Sequence, residues 1–225
     1  MYRRARSEAD KSRRAEDLLD AATALAAELG GVRHITLAAV TERAGLHPSG
    51  VRRYFASKEE LLLELAERSW GEWRDVLTAR LAGQHDLSPA DSAQAIAVTI
   101  SSLPLFCDLL THVPLSLEGD VDLERARRYK ANSFAAYDVI VGALSTASTM
   151  SPAQLADLIT VALGVTANLW QLSHPTPTLR QLYREIPRWG HVALEFEPRL
   201  SRLLEATAAG LAASSQPSGV APHRS

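Results

Sequence analysis

Residues 36–62 read TLAAVTERAGLHPSGVRRYFASKEELL, from Thr36 to Leu62. Thr36 suits an N-cap, because its hydroxyl can accept from a free amide of the first helical turn. It predicts a short helix over Leu37–Ala44, closed by Gly45. Pro48 fits the first position of a further helix, where its missing N–H is no loss, and that helix is expected to reach about Phe55. Ser57, with Glu60 three residues on, has the pattern of a capping box. It opens a helix that carries Leu61, Leu62, Leu65 and Trp73. Two short helices about a tight glycine turn are the geometry of a helix-turn-helix, whose second helix enters the major groove of DNA.

The second helix can be read face by face at about 100° per residue. Val51 and Phe55 fall together and should face a core. Ser49 and Arg53 point almost opposite; Pro48 and Arg52 flank one side, Gly50 and Tyr54 the other. The outward arc therefore offers two guanidinium groups, two hydroxyls and a bare glycine. An arginine can bond guanine O6 and N7 together, worth roughly 1–3 kcal/mol of discrimination. Ser49 and Tyr54 can donate to phosphates, and Gly50 lets a DNA strand approach without obstruction.

The register of Thr36, Val40, Ala44, Gly45, Leu46, Tyr54, Phe55, Ser57, Lys58, Glu59 and Leu61 resembles the DNA-binding region of the TetR family of transcriptional regulators. The likeness is carried by about residues 12–62. It implies that Thr36 contacts phosphate, that His47, Pro48, Ser49, Gly50, Arg52 and Tyr54 approach bases and backbone with Arg53 beside them, and that Lys58 contacts phosphate. The family commonly has an aromatic where Arg52 stands, and Ser-Lys or Ser-Arg where His47-Pro48 stands. Both departures should alter base preference, so no operator sequence carries over.

Outward from this segment the chain reads as helix throughout. Residues 1–10 are expected as a flexible basic arm. A helix from about Lys11 to Leu29, with Leu18, Ala22, Leu25, Ala26 and Leu29 on one face, ends at Gly30-Gly31. Ser88-Pro89 restarts helix to about Leu103. Pro104 and Pro114 bracket LFCDLLTHV, and a long helix covers about Asp122–Leu144. Ser151-Pro152-Ala153-Gln154 is another strong start signal. SHPTPT is read as a loop. The last helical region, from Trp189 to Leu204, contains Pro198, which should kink or break it. No strand alternation and no repeat appears. The fold class is all-α: an N-terminal helix-turn-helix domain over 11–57, a larger helical ligand-binding and dimerisation domain over 58–212, and a disordered tail over 213–225.

Composition agrees. The 225 residues carry a net charge of −2, and 46% are hydrophobic, enough for a substantial core. Residues 1–58 are net +4 and the rest net −6, the split expected of a nucleic-acid reader. One cysteine, Cys107, excludes an internal disulfide framework and fits a reducing cytoplasm. The basic N-terminus lacks a following apolar run, so no signal peptide is read. No charge-free stretch of about 18 apolar residues stands out, so no membrane span is expected.

The resemblance also implies a homodimer on a two-fold operator in double-stranded DNA. Two heads about 34–36 Å apart reach successive major grooves. The dimer would be built by about Ser151–Leu172 and Arg188–Leu211, with Leu155, Ile159, Ala162, Val192, Phe196, Leu200 and Leu203 as candidates. The same stripes could simply fill the monomer core. A small, largely apolar effector would be enclosed by Leu103, Phe106, Cys107, Leu110, Phe134, Tyr137, Asn168 and Trp170, each also a plausible core residue. No phosphate loop, His-Glu-x-x-His or Gly-x-Ser-x-Gly is present, and no catalytic residue or cofactor is assigned. A metal sensor using His112, His174 and His191, and a regulator without ligand response, are the rival readings.

Overall fold

The computed structural model describes residues 2–192 and 195–214, and the side chains of that span except 2–9, 48, 49, 191 and 192. The side chains of Pro48, Ser49, His191 and Val192, and the tail from residue 215, lie outside the described residues. Helix α1 (Tyr2–Leu29) begins within the segment expected as an arm. Gly30 and Gly31 follow at φ 75° and 135°, a left-handed path that side chains resist. A 3₁₀ turn (Val32–His34) leads to α2 (Leu37–Arg43), capped by the Thr36 hydroxyl, which accepts from the Ala39 amide at 3.2 Å.

The recognition segment, Pro48–Arg53, is a 3₁₀ helix and two residues shorter than expected. The Val51 carbonyl accepts from both Tyr54 N (2.9 Å) and Phe55 N (3.0 Å), and the His47 carbonyl accepts from Gly50 N at 2.7 Å. A six-residue helix containing proline and glycine gains little from α geometry, and short helices tighten into 3₁₀ turns.

Helix α3 (Lys58–Leu81) runs from the head into the body. Ser57 Oγ accepts from Glu60 N at 3.1 Å, but the Glu60 carboxylate reaches back to Ala56 N (2.6 Å) rather than to Ser57. The body continues with α4 (Pro89–Ser101), α5 (Pro104–His112), a π turn (Val113–Leu117), α6 (Leu123–Ala147), α7 (Pro152–Ser173), α8 (Pro177–Glu185), a 3₁₀ turn (Pro187–Val192) and α9 (Phe196–Ser214). Ser88 and Ser151 both form complete capping boxes, as their Ser-Pro starts suggest.

Two further elements depart from expectation. SHPTPT is not simply a loop: Thr176 caps α8, accepting from Leu179 N. Pro198 neither kinks nor breaks a helix, because α9 starts at Phe196 and leaves the proline in the first turn, where no amide partner is lost.

Helix α3 lies along α6, α4 along α9, and α7 against α5 and α9. At the centre, Trp70, Trp73 and Phe106 pack with ring centroids 5.3–5.6 Å apart. Their polar atoms are served: Trp73 Nε1 donates to Thr99 Oγ1 and Trp70 Nε1 to the Tyr129 hydroxyl, both at 3.2 Å. Buried Arg125 on α6 is held by Glu67 (2.9 Å) and Glu64 (3.1 Å) of α3. Among the described residues one unbroken helix, α7, is long and apolar enough to cross a membrane; here it is a packed member of the bundle.

Candidate nucleic-acid interface and the cavity behind it

Val51 and Phe55 are 5% and 4% exposed and pin the recognition segment to the head core, which also holds Leu18, Ala22, Val32, Ile35 and Val40. Arg52 and Arg53 are exposed, and among the described residues neither forms an ion pair. The cations nearby behave otherwise. Arg43 of α2 grips Glu28 of α1 through two bonds of 2.6 and 2.7 Å, and Arg68 of α3 reaches Asp20 of α1 at 2.9 Å. The head thus uses those arginines to brace itself and leaves Arg52 and Arg53 to solvent. Gly50 has open space where a Cβ would project. His47 and Thr36 are exposed. Tyr54 is half-buried against the core, because the 3₁₀ path turns it further inward than an α-helix would. Lys58 is also half-buried, and its Nζ donates to the Arg33 carbonyl at 3.1 Å.

Behind the head lies a cavity of about 480 Å³. Thr23, Ala26 and Ala27 of α1, with Gly30, Gly31 and Arg33, form its head side. Pro104, Leu105 and Asp108 of α5, with Trp170, Gln171 and His174 from α7 and its C-cap, form its body side. The His174 ring stacks on Trp170 at 3.8 Å between centroids. Asp108 bridges the two sides. Its Oδ2 accepts from the Val32 amide at 2.7 Å and its Oδ1 from Gln171 Nε2 at 2.9 Å.

Of the eight residues expected to enclose an effector, Trp170 lines this cavity. Phe106 and Cys107 are buried in the aromatic core instead, and burial pushes the Cys107 thiol up to about 12, so it stays protonated. Leu103 and Leu110 pack partly buried against that core. Phe134 is 59% exposed on α6 with Tyr137 against it, and Asn168 is exposed on α7. Sequence reasoning misses Asp108 and Gln171 and reads Gly30-Gly31 only as a helix end. The one signal is an acid standing alone within LFCDLLTHV, and it points to Asp108.

The expected dimer positions divide in the same way. Leu155, Ile159, Ala162 and Leu200 are fully buried within the monomer; Leu203 is 37% exposed and Phe196 half-buried. What α7 leaves to solvent is a row of Ala153, Asp157, Thr160, Gly164 and Asn168. No three histidine, cysteine or acidic side chains among the described residues come together as metal ligands.

Residues 18–65 match the family "Bacterial regulatory proteins, tetR family", and residues 67–215 match "Tetracyclin repressor-like, C-terminal domain". The chain belongs to the TetR family. Members are transcriptional regulators rather than enzymes, and DNA binding is implied by the family. The fold agrees with solved relatives. A TetR regulator from Rhodococcus sp. RHA1 shares 15% identity at a TM-score of 0.56, covering 90% of this chain and 97% of its own. FadR from Thermus thermophilus, a TetR-family repressor solved with lauroyl-CoA, shares 18% identity at 0.54, covering 93% and 100%. No curated protein matches the chain significantly in sequence.

Proposed function

We propose that the protein is a cytoplasmic, homodimeric repressor that binds a two-fold operator in double-stranded DNA and leaves it when a small, largely apolar effector occupies the cavity behind the head. The observation that carries the reading is the recognition segment. Val51 and Phe55 hold it to the core while Arg52 and Arg53 stand in solvent with no ion-pair partner among the described residues. That is the disposition needed to reach base edges and phosphates. Thr36 and Lys58 stand at the N-terminal ends of α2 and α3, where backbone amides also favour a phosphate.

The cavity supports ligand response over a constitutive repressor, since its walls come half from the head and half from the body. FadR, a relative in fold, is solved with bound lauroyl-CoA, a ligand of which the acyl chain is apolar and the CoA part is charged. A ligand that fits one head orientation better than another shifts the population by its differential affinity and no more. For the dimer, the small-residue row on α7 and the exposed Leu203 of α9 are the surfaces two copies would share, in place of the buried positions expected from sequence. Selection of bound DNA from a random pool tests the reading. It should return two half-sites related by a two-fold axis, with centres about 10 base pairs or a multiple apart. Recovery of no enriched sequence, or of a single unpaired half-site, would reject it.

A further inference from the structure

One carboxylate lies inside the molecule with no lysine or arginine bonded to it among the described residues. Asp108 is 7% exposed, and both its hydrogen-bond donors, the Val32 amide and the Gln171 carboxamide, are neutral. Among the described residues no lysine or arginine forms an ion pair with it; His112 Nε2 stands 3.9 Å away, beyond hydrogen-bond reach. Burial lowers the pKa of that imidazole, so it is largely neutral at pH 7. An ionised carboxylate offers about four acceptor positions, and two are taken. Isolated buried charge is costly, and proteins retain it where something pairs with it. The carboxylate forms part of the cavity wall, with Ala26, Ala27 and Gly31 on the head side and Leu105 and Trp170 on the body side. Arg33 also lines the cavity, and with Lys58 it acts through space on neighbouring His112, but the Arg33 side chain is exposed and solvent screens its charge.

We propose that this cavity takes a lipophilic cation: a protonated amine on a flat apolar body, with its ammonium against Asp108 and its ring along Trp170. The volume suits a small drug-sized molecule, the carboxylate attracts a cation, and the Trp170 ring, stacked on His174, adds an aromatic wall for the apolar body. The regulatory consequence rests on the effector reading above; binding itself does not. The carboxylate that would receive the ammonium is the one that holds the Val32 amide of the head. A charged donor bonds a carboxylate more strongly than a neutral amide does, so an ammonium on the open positions draws Asp108 away from the head. Val32 adjoins Arg33, whose carbonyl receives Lys58 Nζ at the foot of the DNA-reading unit.

The test is calorimetry on the full chain with a matched pair of probes, tryptamine and indole-3-propionate. These share an indole and a short tether and differ chiefly in the sign of the terminal charge. Tryptamine should bind at least tenfold more tightly. Asp108→Asn should bring the two affinities to within twofold. Ala27→Trp, which enters the cavity from an exposed position on α1 and leaves Asp108 untouched, should weaken both probes and stands in should the Asn variant fail to fold. Equal affinities, preference for the propionate, no tryptamine binding, unchanged tryptamine binding in Ala27→Trp, or a preference that survives Asp108→Asn would each overturn the proposal. Operator affinity is read separately. Tryptamine that binds in the cavity but leaves DNA affinity unchanged would leave the site standing and remove only the effector reading.

Discussion

The recognition segment and the head–body cavity both leave charge unpaired, but in opposite media. Arg52 and Arg53 stand in water, where a lone guanidinium is well solvated and needs no partner. Asp108 is enclosed, where an ion costs several kcal/mol unless hydrogen bonds and counter-charge compensate it. The first arrangement is open to any exposed side chain and becomes informative only because Val51 and Phe55 fix where it points. The second is informative by itself, since the fold has positioned Val32 and Gln171 to hold the carboxylate in place. Exposure with a rigid anchor marks a surface meant for a partner. Burial with incomplete neutralisation marks a place where something further can bind.

If the recognition segment is a rigid probe, its anchor should carry the largest effect. Phe55→Ala removes a buried aromatic from the head core and should cost about 3–5 kcal/mol of stability, read from denaturant midpoints. It should abolish operator binding with it. A loss below about 1 kcal/mol would mean the segment is not held by that side chain. Arg52→Ala and Arg53→Ala should do the reverse. Stability should stay within about 0.5 kcal/mol of the parent. Operator affinity should fall by roughly 1–3 kcal/mol for each arginine that bonds a base edge. An arginine that bonds phosphate instead should, on removal, weaken the salt dependence by about one unit of slope. Band-shift titrations at several salt concentrations separate the two cases, and unchanged affinity in both variants would break the comparison at its outer end.

The same contrast explains what could be read from sequence. The head is built from neighbours in the chain: Thr36 caps α2, Gly45 turns at positive φ, and Val51 and Phe55 share a face. Each is set by local propensity and spacing, so the helix-turn-helix and its outward arginines were legible. The 3₁₀ form of the segment was not, because reading six residues at α-helical angles assumes the helix it is meant to find. The cavity joins Thr23, Gly31, Asp108 and Gln171, and the Asp108 bonds span 76 and 63 residues of chain. No periodicity within one helix encodes that meeting. The apolar stripes of α7 and α9 are legible as apolar, yet Leu155, Ile159 and Leu200 serve the monomer. A stripe states that something covers it and is silent on what.

At the inner end, Gln171→Leu tests whether the Asp108 carboxylate depends on its second donor. Deleting a hydrogen bond to a charged group typically costs about 1.5–3 kcal/mol. The added leucine recovers part of this against Trp170 and Leu105, so a net loss of about 1 kcal/mol is expected, read from denaturant midpoints with operator affinity measured in parallel. A neutral or stabilising result would show that Val32 alone satisfies the carboxylate.

The smallest effect belongs to His112 on α5, which sits one turn from Asp108. Burial is the largest influence and lowers its pKa; Asp108 pulls it upward, and Lys58 and Arg33 push it down again. The folded chain therefore keeps the imidazole neutral at a pH where the unfolded chain has begun to protonate it. Stability from this group is whole above the ordinary value of 6.5 and falls as pH drops from there toward the folded pKa. His112→Gln should remove that slope and leave stability above neutrality nearly unchanged, measured as midpoints across a pH series. Identical slopes in parent and variant would assign the acid sensitivity elsewhere. Below the folded pKa an imidazolium would stand 3.9 Å from Asp108, supplying from within the positive charge that the cavity otherwise leaves for a ligand.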